Sequence, residues 1–215
     1  MRALNAIWVS IPSLLLGLAV TLEVSALVVG IGLVLGLLMG AALSFGPRLI
    51  AWPVRAVVDV IRGLPILVLI FFVYYVLPAV GLDLGNFAAA VAALTLFSAC
   101  QVAEIARGAL GSVHHGQFEA GRAIGLRFSQ VLLWVVGPQA VRRFLPPWLN
   151  SVTDAVKGSA LVSLVGIVDL MQSIQQVIGR TYEPMPLYLM GAAIYIAINY
   201  ALSQSSRALE ARFRV

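Results

Sequence analysis

The sequence predicts an all-α integral membrane protein with about five transmembrane helices and a long helical segment outside the bilayer between the third and the fourth. Three observations carry that prediction. The 215 residues are 61% hydrophobic and only 11% charged, with a mean hydropathy of +0.99. A soluble domain of this length needs a more polar surface. The charges are also spaced far apart, leaving runs long enough to cross about 30 Å of hydrocarbon as helix. Finally, the basic residues gather on alternate loops, as the positive-inside rule requires of a multi-pass protein.

The charge-free runs place the spans. Residues 24–47, 63–82, 84–103 and 184–206 carry no charge, and 158–179 carries only Asp169. With their flanks, these runs predict spans at approximately 14–45, 57–80, 85–108, 152–179 and 185–207, all in one transmembrane domain covering 1–215. The first connection holds Arg48, Arg55 and Arg62, and the second holds Asp83. The third holds Arg107, Arg122, Arg127, Arg142, Arg143 and Lys157. The fourth balances Arg180 with Glu183, and the tail holds Arg207, Arg212 and Arg214. Twelve of the 14 basic residues thus share one side, which places the N-terminus outside and the C-terminus in the cytoplasm. The pI near 9.9 then reflects loops beside anionic lipid, not nucleic-acid binding. No cleavable signal is expected, because the first apolar run is too long for one.

The segment at approximately 111–150 is patterned as an amphipathic helix pair. In FEAGRAIGLRFSQVLLWVV, apolar residues fall at 118, 124, 128, 131, 132 and 135. Gly125 is placed to turn the chain, and Pro138 and Pro146-Pro147 punctuate the stretch after it.

Within the spans, Gly32, Gly36 and Gly40 recur every fourth residue. They form a flat stripe for close helix approach, either within the chain or to a second copy. Asp169, Gln172 and Gln176 share a helical face, and Ser159 and Ser163 share another at i, i+4. Two readings stand for these groups: a polar lining of a passage, or hydrogen bonds between helices. Glu104, near the cytoplasmic end of span three, reads as a clamp onto Arg62 or Arg107. Cys100, the only cysteine, reads as a packing residue. His114 and His115 read as solvated loop residues, so no metal site is expected. No phosphate-binding loop and no hydrolase signature is present.

The segment EAGRAIGLRFSQVLLWVVGP, residues 119–138, resembles the cytoplasmic loop of permeases driven by ATP-binding-cassette subunits. That pattern reads Glu-Ala-Ala, three residues, Gly, nine residues, Ile, any residue, Leu, Pro. Here Glu119, Ala120, Gly125, Val135 and Pro138 keep the spacing, while Gly121 replaces the second Ala and Gly137 replaces Leu. The flanks resemble the polar-amino-acid branch: GLAVTLEVS with Thr21, IRGLPILVLIFFVYY with Arg62 and Gly63, VAEIARGAL with Glu104, GQFEA with Gln117, and GPQAVRRFLPPWLN. The branch usually opens its fourth span with Leu-Lys-Asp-Thr-Ser-Leu; here VKGSAL puts Gly158 at the acid.

The resemblance implies an importer permease that is not itself an enzyme and binds no cofactor, with ATP and Mg held by a partner ATPase. It implies a coupling helix whose ATPase contacts are Gln117, Glu119, Ala120, Gly121, Arg122, Gly125 and Pro138. The expected partners are a cytoplasmic ATP-binding-cassette ATPase dimer, a second permease (identical or homologous), an extracytoplasmic binding protein and membrane lipid, in a bacterial inner membrane. The expected cargo is a polar amino acid or close derivative, with Thr21, Arg62, Gly63, Gln101, Glu104, Ser159 and Ser163 as path candidates. If the acid at 158 holds a cation in relatives, its loss argues against arginine or lysine. The competing readings are a stand-alone transporter or channel built on Asp169 and its Gln neighbours, and a membrane enzyme or scaffold.

Overall fold

The computed structural model describes the backbone of residues 2–213 and the side chains of 10–209 and 211. Arg214 lies outside the described residues, as do the side chains of Arg2 and Arg212. Among the described residues every regular element is helical. The order is α1 (Arg2–Phe45), α2 (Arg48–Gly63), α3 (Ile66–Phe71), a π-helical turn (Phe72–Val76), α4 (Leu77–Ala79) and α5 (Gly85–Gly111). Then come α6 (Gly116–Ala123), α7 (Phe128–Gln130), a second π-helical stretch (Val131–Val136) and α8 (Gly137–Gly158). A 3₁₀ stretch (Ser159–Val165), α9 (Leu170–Thr181) and α10 (Pro184–Phe213) complete it.

Three described helices are long and apolar enough to cross a membrane unaided: Ser10–Phe45, Gly85–Gly111 and Pro184–Leu209. Two bent pairs raise the number to five if each is one span. The first departs from the expectation of a continuous helix over 57–80. The chain turns by 110° between α2 and the α3–α4 segment, so residues 57–63 belong to α2. The cause is local. Pro65 forces Leu64 into an extended conformation, φ −90° and ψ 140°, which no helix can accommodate. The remainder, Ile66 to Ala79, is about 21 Å long at 1.5 Å per residue, a short crossing.

The second pair replaces the expected continuous span over 152–179. The helix α8 runs through residues 150–152 without a boundary, tightens to 3₁₀ at Ser159, and ends where Gly166 takes φ +81°. After an extended stretch α9 restarts, bent by 50° from the helix that precedes it. Pro146 and Pro147 lie inside α8 and do not end it. Both π-helical stretches lie just before a proline, Pro78 and Pro138. A proline lacks an N–H and crowds the carbonyl four residues back, and one extra residue per turn moves that carbonyl aside.

The most extensive interface joins α1 to α5, and the glycine stripe makes it. A methyl group on Gly32 would lie 2.7 Å from Ser98 Oγ, one on Gly36 would overlap Val102 Cβ, and one on Gly40 would lie 2.8 Å from Ala106 Cβ. The stripe therefore packs within the chain, against every fourth residue of α5. Cys100 is fully buried beside it with Val58 and Ala103, a packing position. A second core joins α1 to α9 and α10 through Leu14, Leu170, Ile174, Val177 and Leu187.

Gly36→Leu is expected to force α1 off α5 and lower thermal stability by about 2 kcal/mol or more. Gly30→Leu, where an added Cβ meets nothing within 4 Å, is expected to be neutral. Melting both variants in detergent checks the pair, and equal stability would mean that the stripe carries no packing.

Candidate translocation cleft and docking helix

Three polar features stand out, and the sequence-predicted residues divide among them. The first is α6. It is short, begins after His115, and ends in a Schellman motif: Gly125 takes φ +83°, its N–H donates to Arg122 O at 2.9 Å, and Leu126 N–H donates to Gly121 O at 3.1 Å. Only glycine adopts that φ without strain. Glu119 occupies the first turn and Arg122 the last, each at the end its charge favours. Glu119 is about three-quarters exposed and contacts His115 at 3.2 Å. Gln117, Ala120 and Arg122 are also exposed, as is Ile124, an apolar tip on a polar helix.

The inner face of α6 is fixed. Gly121 is buried, and a methyl group there would reach 2.8 Å from Val131 Cγ2. Val113, Val131, Val136 and Ala140 form a small core beneath it, with Phe118 at the edge. Gln139 Nε2 donates to Gln117 Oε1 at 3.3 Å and to Val135 O at 2.8 Å, tying the helix to the start of α8. Gly137 N–H donates to Leu132 O, five residues back, in the widened turn before Pro138. A methyl group on Gly137 would stand 2.7 Å from that oxygen. Both departures from the family pattern, Gly121 and Gly137, thus answer to a close neighbour.

The second feature is a cluster of guanidinia around Glu104. Arg107 donates to it twice, at 3.1 Å and 2.8 Å. Arg55 also hydrogen-bonds to it, and Arg62 comes to 3.9 Å. The clamp reading of Glu104 stands, with Arg55 as a partner that the spacing along the chain did not indicate. The pairing locks α2 onto α5. Gly63, at the end of α2, has open space around it.

The third feature is a cleft between α1, α3, α5 and α8. Its polar wall is Ser98 and Gln101 from α5, facing Ser151 and Asp154 from α8, with Gly158 at one edge. Of the seven path candidates only Gln101 lines it. Thr21 is instead buried structure: its hydroxyl accepts from Leu170 N–H at 3.1 Å and donates to Gly17 O at 3.1 Å. Ser159 and Ser163 are buried, and their hydroxyls donate to carbonyls of their own helix, Val156 O and Ala160 O. Ser98, Ser151 and Asp154 were not singled out from the sequence. The i, i+3 spacing of Ser98 and Gln101 in an apolar helix was the available signal.

The polar face at Asp169 resolves differently. Asp169 precedes α9 and caps it, its Oδ1 accepting from Gln172 N–H at 2.9 Å. Its other oxygen, and Ser173 Oγ, are buried without a partner among the described residues. Gln172 is half-buried and Gln176 exposed. Among the described residues no group of three His, Cys, Asp or Glu side chains could hold a metal.

Glu104→Ala would leave three guanidinia without their shared carboxylate and is expected to cost about 2 kcal/mol. It should also free α2, raising hydrogen exchange along 48–63 above that in α5. Unchanged exchange would mean that the clamp does not hold α2.

Residues 32–215 match the family described as binding-protein-dependent transport system inner membrane component. The glutamine transport system permease protein GlnP of Escherichia coli (strain K12) is 37% identical over 98% of this chain and 97% of its own. The probable glutamine ABC transporter permease protein GlnP of Bacillus subtilis (strain 168) is 34% identical over 91% of each chain. A chain from a crystal structure of an amino acid ABC transporter with histidines superposes with a TM-score of 0.88 at 32% identity, over 94% of each chain. A chain of the MetNI methionine ABC transporter, in an inward-facing conformation, shares the fold with a TM-score of 0.81 at 22% identity. The relatives are permease subunits, transport components and not enzymes. This chain belongs to the family of binding-protein-dependent transport system inner membrane components.

Proposed function

We propose that the chain is the permease through which an ATP-driven importer moves an amino acid or close derivative into the cytoplasm, with α6 as its coupling helix. The observation that carries this is α6 itself. It is a rigidly capped helix with a polar, exposed outer face, packed from beneath on the turn that starts α8. A force applied to α6 passes through Val131 and Gln139 into α8, and α8 carries Ser151 and Asp154 into the cleft. The N-terminus lies outside and the C-terminus in the cytoplasm of a bacterial inner membrane, which puts α6 on the side where ATP is made. ATP and Mg bind in a separate ATPase dimer. A second permease, identical or homologous, completes the passage, and an extracytoplasmic binding protein delivers the cargo.

Within the cleft, Asp154 offers a carboxylate to an ammonium group, and Gln101 an amide to a polar side chain or carboxylate. The acid that the branch carries at position 158 is absent, yet Asp154 lies one helical turn earlier on the same wall as Gly158. The negative charge is therefore retained in a displaced position. Relatives described as carrying glutamine and arginine bracket the cargo as zwitterions that all share the α-ammonium. The stand-alone transporter built on Asp169 is not favoured, because one oxygen of that carboxylate holds the start of α9.

Two experiments test the reading. Glu119→Lys reverses a charge on the outer face of α6 and is expected to leave the chain folded while lowering co-purification of the ATPase at least tenfold. A complex that survives with its stimulated ATPase intact would overturn the docking assignment. Asp154→Asn and Gln101→Ala are each expected to reduce uptake in reconstituted vesicles about tenfold, roughly one lost charged or polar contact, without releasing the ATPase. Undiminished uptake would move the passage elsewhere.

A further inference from the structure

Two cavities beside the docking helix share a wall, and their chemistries are opposite. One is an apolar groove between α1, α5 and α8. The other is a chamber lined by Arg55, Arg107 and Ser44. Phe45 and Leu110 line both, so the groove and the chamber abut at that end of α1. From Phe45 to Leu33 the groove climbs twelve residues of α1, about 18 Å, close to the thickness of one hydrocarbon leaflet. Trp148 lies on its opposite wall.

The chamber carries excess positive charge. Arg55, Arg62 and Arg107 surround Glu104, and Arg55 also reaches Asp59 at 3.7 Å. Three guanidinia meet two carboxylates, leaving one positive charge over. Donors remain as well: Arg107 uses Nε and Nη2 on Glu104 and keeps Nη1 for another acceptor. The guanidinia are around two-fifths exposed, so an acceptor can reach them. Arg142 is the only charged residue on the groove wall, and no carboxylate pairs with it among the described residues.

We propose that these two adjoining cavities form a binding site for an anionic glycerophospholipid of the cytoplasmic leaflet, its phosphate in the Arg55–Arg107 chamber and an acyl chain in the groove. The occupant is an amphiphile because the pair of cavities is one: a cationic head end beside an apolar tail of leaflet length. A second copy of the chain would have to fill a groove of this depth and also present a carboxylate to Arg142. The lipid supplies both the tail and the negative charge. Its place against α2, α5 and the base of α6 lets it brace the docking helix, whose Phe118 lines the chamber. The site rests on the proposed orientation, which puts the chamber at the anionic cytoplasmic surface.

The test uses the assembled complex in nanodiscs of phosphatidylglycerol and phosphatidylcholine, extracted with detergent, washed, and assayed for retained lipid by mass spectrometry. The wild type is expected to keep on the order of one phosphatidylglycerol per permease and little phosphatidylcholine. Arg55→Gln should lower phosphatidylglycerol retention about fivefold, near the worth of one arginine at an anionic surface. Because that variant also touches the clamp, Ala41→Trp provides a second arm. Ala41 is exposed on the groove wall, so the indole fills the groove without entering the core, and retention should fall at least as far. Equal retention of both lipids by the wild type, or unchanged retention in Ala41→Trp, overturns the site. So does efficient disulfide formation between two copies through Ala41→Cys, which would assign the groove to a second permease. Retained lipid is read without transport, so a failed importer reading and a failed lipid site give different results.

Discussion

The polar cleft and the Glu104 clamp both hang on the contact between the glycine face of α1 and α5. In lipid there is no hydrophobic force to press one helix on another, so association depends on close fit and on hydrogen bonds. Gly32, Gly36 and Gly40 let α1 lie against the backbone of α5, with Ser98, Val102 and Ala106 set into the gaps. That contact sets the rotation of α5 about its axis. Once it is set, Ser98 and Gln101 face the cleft, while Glu104, one turn further, faces the arginines of α2. A rotated α5 would lose cleft and clamp together.

A second constraint governs the broken spans. Each interruption exposes backbone groups that lipid cannot satisfy, and the chain answers locally. The extended stretch before α9 is held by Thr21, whose hydroxyl accepts from Leu170 N–H, and by the Asp169 cap. At the end of the 3₁₀ stretch, Asn86 Nδ2 donates to Val165 O at 3.0 Å, so α5 supports the break in the fourth span. These polar groups look functional in sequence because they are rare in a membrane. In the fold they are the fastenings of a discontinuous helix.

The same constraint separates the features legible in the sequence from those it concealed. Charge-free runs and the arginine asymmetry depend only on bulk transfer energies, so the class of fold and the helical runs of α1, α5 and α10 could be read directly. The stripe of glycines announced a close contact but not its partner, because i, i+4 spacing fits any facing helix. The bend at Leu64-Pro65 was written in the proline, yet an apolar run continuing beyond it masked the break. Thr21, Ser159 and Ser163 were read as a path because type and spacing do not say where a hydroxyl's bonds go; their carbonyl partners lie along their own helices. Asp154 was hidden for the opposite reason. It stands three residues before Lys157, pairs with it at 3.7 Å, and so reads as an ordinary surface ion pair.

The two departures from the docking pattern belong to a single structural change. The widened turn at Val131–Val136 brings Leu132 O against Gly137 and sets Val131 under Gly121. A side chain at 137 would collide with that oxygen, and a methyl at 121 would push Val131 out of its core. Glycine at both positions lets α6 sit lower on the start of α8 than an alanine or a leucine would permit. Their usual cost is helix flexibility. It is limited here, because the Schellman turn at Gly125 and the Gln117–Gln139 contact hold the ends of α6. A short helix seated this closely has little freedom to tilt alone, so displacing it must displace α8. The join between α6 and α8 is therefore stiff, and the two glycines, by removing side-chain bulk, provide the close seat on which that stiffness depends.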